Sequence, residues 1–546
     1  MAEMMMKFIS TERPAMLIAT TVSALAVGIA VARMLSGSAS GKPSAYEELC
    51  NYLRTSDSLG GCMAVLEWDE LVKMPEASAD ARSQQKAALA EVMHDRQVSR
   101  ELGRLVAGAK RQLQALDAFQ AANVRDAERA FLQEARKPRE LARLESQLGS
   151  EGYHAWVKAR EAADFSIFSP KLTELVQMRK EVAAKCAKPG TLPYDFCIDQ
   201  HERGMTAARI QEIFAEVKVG LVPLIKAVLD APPIKPRDCL MNGPFNIQQQ
   251  EALCRQVAGD LGFDFDAGRF DVSVHPFTGG PHPSDVRITT RFNDSEFLSS
   301  LMGTVHETGH AIYEQGRNQK YNGLPVSEAL SMGVHESQSL LWERMIGQSM
   351  PFWEYAAAKV HQHFPQTKNA RPVDFFQFAN IVKPSLIRVD ADELTYPLHI
   401  VVRFELEQAL MDGHLTVDEL PKAWNAKYKS YLGVEPPSDK EGILQDIHWS
   451  DGSFGYFPTY TLGAMFACQF YSAAVKEIPN LESRISKGDF APLKEWLNEK
   501  IHKVGSVYPS ADELCVAVTG EKLKPKAFVD YLTKKYTDLY NLPTVA

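Results

Sequence analysis

Cysteine is scarce in this 546-residue sequence: eight residues, Cys50, Cys62, Cys186, Cys197, Cys239, Cys254, Cys468 and Cys515, with no CxxC pair. That spacing excludes a thiolate zinc cluster and a thioredoxin-like redox pair, and the even count does not establish disulfides. No long run of lysine and arginine occurs and the formal charge is -9, so nucleic acid is not expected as the partner. There is no internal repeat, and no biased linker long enough to separate independently folding units. Beyond residue 32 there is also no apolar run long enough to span a bilayer.

The apolar run that does occur is PAMLIATTVSALAVGIAVA, from Pro14 to Ala32, preceded by Lys7 and Arg13 and followed by a Gly/Ser/Ala-rich stretch. It reads as a targeting segment or a membrane anchor. Residues 1–42 are therefore set apart from residues 43–546, the expected catalytic domain. Any membrane contact is expected through residues 14–32 alone, with a soluble cytoplasmic or organellar body behind it. That body is 45% hydrophobic and 24% charged over the whole chain, which excludes general disorder.

Apolar residues recur at three-to-four spacing over 75–115, 125–160, 167–186 and 202–229, which predicts amphipathic helices. Pro138 interrupts the charged run from Arg125 to Leu148, so a coiled coil is a poorer reading than helices with a solvated face. APPIKPRDCLMNG is a loop. Between Phe263 and Phe292 the segments FDFDAGRFDVSVHPF and DVRITTRF alternate, predicting a small antiparallel sheet with GGPHP as its turn. The helical pattern returns after Glu296, with breaks at Pro436-Pro437 and at Ser506 to Pro509. The expected fold is mainly α, with helices around a cleft.

The strongest local signal is HETGH at 306–310. Residues four apart share a helix face, so His306 and His310 can hold one Zn²⁺ while Glu307 takes a proton from an activated water. No HxxGxxH extension follows, and a third ligand is sought among Glu314, Glu328 and Glu336. Glu314 competes for space on the same helix. Glu328 and Glu336 fall after the Asn322-Gly323 and Pro325 breaks, on a second helix able to fold back. Glu336, in HESQS at 335–339, is the better geometric choice, and spacing alone leaves Glu328 open. His335 reads as a supporting residue.

Further motifs accompany HETGH: HPF at 275–277, DVRIT at 285–289, HESQS, IRVDAD at 387–392 and GILQDIHW at 442–449, with LTYPLHIVVRFELE from Leu394 and GSFGYFPTYTLG from Gly452. Taken in order, from about residue 44 to the end, they resemble the thermostable zinc carboxypeptidases named after the Taq enzyme. WDELVKMP at 68–75 resembles the family's early segment, departing from it in Val72-Lys73. The resemblance implies a large bilobed, zincin-like helical subunit with a deep cleft, assembled as a homodimer. It implies that Glu336 completes the metal set, with one Zn²⁺ per subunit that Co²⁺ can replace. It further implies release of single amino acids from peptides with a free C-terminus, with broad side-chain preference and poor action on proline.

Recognition of a free carboxylate calls for a guanidinium. Arg388, in IRVDAD, is the first candidate and Arg287, in DVRIT, the second. Asp285 is expected to orient Arg287, and Asp390 and Asp392 to orient Arg388, while His275 lines or braces the cleft. An oxyanion needs a donor besides the metal. The resemblance favours Tyr460, assisted by His448, with Tyr456 near the substrate carboxylate. The rival expectations are a zinc oligopeptidase cleaving internally, and a noncatalytic metal-containing peptide-binding protein.

Overall fold

Ser44 opens the first helix: its hydroxyl accepts the Glu47 N–H at 3.2 Å and Glu47 returns the bond to the Ser44 N–H at 2.7 Å, a reciprocal cap. The structure, a computed structural model, describes residues 43–543; the segment 14–32 lies outside the described residues. Among the described residues no helix is long and apolar enough to cross a membrane. Helices that build the site are numbered α1 to α5, beginning with α1, Ala45–Val72. Only Tyr46, Leu49, Cys50 and Trp68 of α1 are buried, so it runs across the surface of the body. Helix Ala79–Gln97 has no fully buried residue.

The break at Pro138 falls where the sequence predicts it. Helix Ala118–Ala135 ends before it and Arg139–Ala162 begins directly after it, because proline has no N–H to give an interior turn. The APPIKPRDCLMNG loop contains one short helical turn, Asp238–Met241.

The sheet has three strands, β1 (Gly268–Val272), β2 (Thr278–His282) and β3 (Asp285–Thr290), in the order β1-β3-β2. An antiparallel hairpin is present, but β3 makes it with β2, which the sequence reads as a turn, and Thr278 lies opposite Ile288. β1 pairs parallel with β3, Phe270 opposite Ile288, so the sheet is mixed. The chain leaves β1 and reverses before β2, and β3 then inserts between the two. Gly279 to His282 lie within β2 rather than in the turn, and the reversal occurs at Pro283-Ser284. β2 is left as an edge strand, and α1 covers it: the Trp68 and Phe277 rings lie 5.1 Å apart.

The main core gathers around three helices whose residues are mostly buried, polar ones among them. These are α2 (Leu298–Gln315), α4 (Tyr396–Asp412) and α5 (Pro458–Glu477). Leu301, Val305, Leu398, Val401, Leu462, Met465 and Phe466 have no exposed surface. α3 (Met332–Leu340) packs between α2 and α5 and continues into a π-helical turn, Leu341–Gly347. A second cluster joins α1 to Tyr321, Leu324 and Val326. The result is a mainly helical, bilobed body with a cleft between α1, the sheet and the α2–α3 connection. A recess of about 440 Å³ in this cleft adjoins one of about 430 Å³ beside Arg129, Asp199 and Arg203, and the two share Glu314, Arg317, Glu328 and His335.

Candidate active site

His306 and His310 project from the same face of α2, their ring centroids 5.0 Å apart. Ser331 caps α3 by accepting the Val334 N–H at 3.1 Å, and the helix brings Glu336 to them: its Oε2 lies 3.4 Å from His310 Nε2. Ligand atoms of His306, His310 and Glu336 all lie within 4.8 Å of one another. Glu314 turns away, bonded to His335 Nε2 and to Arg317, each at 2.9 Å. Despite burial, those two partners pull its carboxyl down to about 2. Glu328 faces the recess beside Arg317 and Asp57, where burial pushes its carboxyl up to about 7. Of the three glutamates weighed from the sequence, only Glu336 joins the histidines.

Two imidazoles and one carboxylate are a donor set suited to zinc. His306 Nδ1 is bonded to Glu343 at 2.8 Å, which fixes the ring and leaves Nε2 for a metal. Burial pulls His306 down, but the Glu343 bond and the charges of Glu336, Glu343 and Glu307 outweigh it and hold the ring at about 10. Glu336 is pushed up by burial and pulled down further by His310 and His306, to about 2. The carboxylates around His306 and Glu336 therefore favour positive charge there, whereas burial, helped by His335 and His306, lowers His310 to about 4 and keeps its ring neutral. His335 stacks on His310 at 4.6 Å and supports it, as a neighbour rather than a ligand.

Glu307 is 6% exposed, and burial raises its pKa. Thr278, at the start of β2, donates its hydroxyl to Glu307 Oε2 at 2.6 Å. The edge strand thus holds this carboxylate in place.

The other wall comes from α5 and the segment before it. Tyr456 and Tyr460 lie with ring centroids 5.4 Å apart, and the His448 Nε2 is 3.3 Å from the Tyr460 hydroxyl. Burial, reinforced by Arg388 and Arg403, lowers His448 to about 4, so it is neutral near pH 7. Burial drives Tyr460 well above 10, so its hydroxyl keeps its proton. One turn after Tyr460, a Cβ on Gly463 would stand 2.9 Å from Glu336 Cβ and Cγ. Glycine lets α5 press directly on the residue that joins the histidines.

Arg388 is 7% exposed and lies 5.0 Å from the Tyr460 ring centroid. Its Nε donates to Asp446 at 2.9 Å and its Nη1 to the Tyr396 hydroxyl at 3.1 Å. Asp446 also accepts from Arg403 Nε at 2.7 Å. The expectation that Asp390 and Asp392 orient Arg388 is corrected here. Asp392 accepts the backbone N–H groups of Lys383, Leu394 and Thr395, and Asp446 takes the orienting place. Arg287 is paired with Asp285 at 2.8 and 2.7 Å, as expected, and lies over the Trp68 ring at 5.6 Å. His275 is exposed and its ring has no hydrogen bond to the described residues.

Thr278, Glu343, Tyr396, Asp446 and Arg344 were not singled out from the sequence. Thr278 directly follows HPF, and Asp446 lies inside GILQDIHW, so their motifs pointed to them. Arg344 is 6% exposed, lies 5.1 Å from the Tyr396 ring centroid and adds positive charge near Glu336 and Glu343. Its isolated position in the sequence carried no signal.

A helix-borne HExxH, a glutamate from the next helix and a buried carboxylate-binding type of residue across the cleft define a helical metallopeptidase. The carboxypeptidase Taq (M32) metallopeptidase profile matches residues 48–536. Thermostable carboxypeptidase 1 of Thermus thermophilus is 38% identical over 507 residues, covering 91% of this chain and 99% of that protein. The crystal structure of the M32 carboxypeptidase of Deinococcus radiodurans superposes with TM-score 0.88 at 37% identity, covering 91% of this chain and 100% of that one. Trypanosoma cruzi metallocarboxypeptidase 1 gives 0.86 at 40% identity, covering 90% and 99%. The chain belongs to the carboxypeptidase Taq family and is a metallocarboxypeptidase.

Proposed function

We propose that this chain releases single amino acids, with broad side-chain preference, from peptides bearing a free C-terminus, using one Zn²⁺ held by His306, His310 and Glu336. The observation that carries this reading is the convergence of that donor set within 4.8 Å, next to a wall in which Tyr460 lies on Arg388. Bound there, zinc supplies Lewis-acid polarisation of a carbonyl and acidifies water. Glu307, held by Thr278, takes the proton of the attacking water and delivers it to the departing amine. Tyr460 donates its hydroxyl hydrogen to the developing oxyanion, with the neutral His448 orienting that hydroxyl. Arg388 receives the terminal carboxylate beside Tyr456, its remaining donors free for that contact because Asp446 and Tyr396 occupy only Nε and Nη1. Arg287, locked by Asp285, and His275 line the substrate cleft at its sheet side.

The reading extends to a homodimer, to Co²⁺ as a substitute metal, and to residues 43–546 as the catalytic unit. Residues 1–42 are then a targeting or anchor segment on a cytoplasmic or organellar body. Matched peptides with free and amidated C-termini test the exopeptidase assignment. The amidated peptide is expected to be hydrolysed far more slowly. Equal rates on both would replace this reading with an internally cleaving oligopeptidase.

A further inference from the structure

Glu202 follows helix Pro193–His201 and takes no part in the chemistry assigned above. It has no exposed surface. Its Oε2 accepts the Gly333 N–H at 3.0 Å, in the first turn of α3 and three residues ahead of Glu336. A Cβ at position 333 would stand 2.3 Å from that oxygen, so glycine is what lets the carboxylate reach the helix end. Glu202 Oε1 is buried without a hydrogen-bond partner among the described residues. Burial pushes the carboxyl up to about 7, against the pull of Ser331 and the Gly333 N–H. The preceding residue, His201, sets its ring 5.0 Å from that of Tyr456, edge-on at 69°.

A fully buried carboxylate with one oxygen unpaired is costly, and an apolar side chain of similar volume would serve packing better. What the carboxylate does gain is the start of α3. Unpaired N–H groups and the positive end of the helix dipole favour an anion there. Groups that orient metal-binding residues from behind are commonly worth about 10–100-fold in metal affinity.

We propose that Glu202 is a positioning residue for the metal centre: it locks the first turn of α3 and so sets where the Glu336 carboxylate stands, while His201 ties the same corner to Tyr456. The proposal rests on the reading of Glu336 as the third ligand. Glu202→Gln keeps the shape and one acceptor but removes the charge. Its zinc affinity, measured at pH 8 by competition with a chromophoric chelator, is expected to be about tenfold weaker than wild type. Gly333→Ala, which forces the cap from the helix with Glu202 intact, is expected to weaken zinc in the same direction. Thermal melts of both variants separate this from general destabilisation, and either variant that folds suffices. Wild-type affinity in a folded variant, with only a lowered Tm, would assign Glu202 to packing and overturn the proposal. Glu336→Ala is measured alongside. If it binds zinc as tightly as wild type, the ligand reading itself fails, and that result arises with Glu202 untouched.

Discussion

Removing the Asp446 carboxylate leaves Arg388 and Arg403 buried without their shared counter-charge. Asp446→Asn is expected to cost about 3–5 kcal/mol of stability at pH 7, the usual penalty for breaking a buried pair from one side, and urea unfolding measures it. Burial raises the Asp446 pKa, but Arg403 and Arg388 more than reverse this and hold it well below the ordinary carboxylate range. A depressed folded-state pKa contributes stability above the unfolded value of about 3.9 and loses it as pH falls further. The gap between wild type and Asp446→Asn is therefore expected to be full at pH 7 and to shrink below about pH 4. A gap that widened with acid would contradict the assignment. At the reacting centre, Glu307→Gln is expected to keep its zinc and lose roughly 10²–10⁴-fold in kcat, checked by metal analysis beside steady-state kinetics. His306, Glu307 and His310 were legible in sequence because four-residue spacing on a helix is a local property. The Arg388–Asp446 pair was not. Fifty-eight positions separate the two residues, and the adjacent Asp390 and Asp392 offered a nearer but mistaken partner.

Helix α3 carries Glu336 in a space fixed by its neighbours. Gly463→Ala is expected to cost about 1–3 kcal/mol by overpacking and to weaken zinc, since the new methyl group would stand 2.9 Å from Glu336 Cβ and Cγ. Loss of stability with unchanged zinc affinity would show that α5 yields instead of α3. The helix carrying Glu336 was expected from the Asn322-Gly323 and Pro325 breaks ahead of it, and its Ser331 cap is a finding of the structure. Glu343 was not expected, because its partner, His306, sits on another helix, and spacing within one helix does not report that contact. In the sheet, alternation predicted β1 and β3, but it read β2 as their turn and paired the two antiparallel, where the structure pairs them parallel. It held no information on which edge of β3 would receive β1, since parallel and antiparallel partners need the same alternation of buried and exposed residues.

At the scale of the molecule, the helical class followed from periodicity and the sheet's position from one change of period. The cleft, by contrast, depends on how α1 lies over β2 and how α2, α3 and α5 converge, which are long-range contacts. The ordered motifs carried that information only through family resemblance. The central claim is that one assembled site performs metal-dependent hydrolysis from the chain end. It is tested most directly by mass spectrometry of a peptide mixture digested over time by zinc-loaded protein, with a chelated sample and a zinc-restored sample in parallel. Successive loss of single residues from free C-termini, abolished by chelation and recovered with zinc, is the expected result. Internal fragments as first products, or an unchanged time course after the metal is stripped, would contradict it.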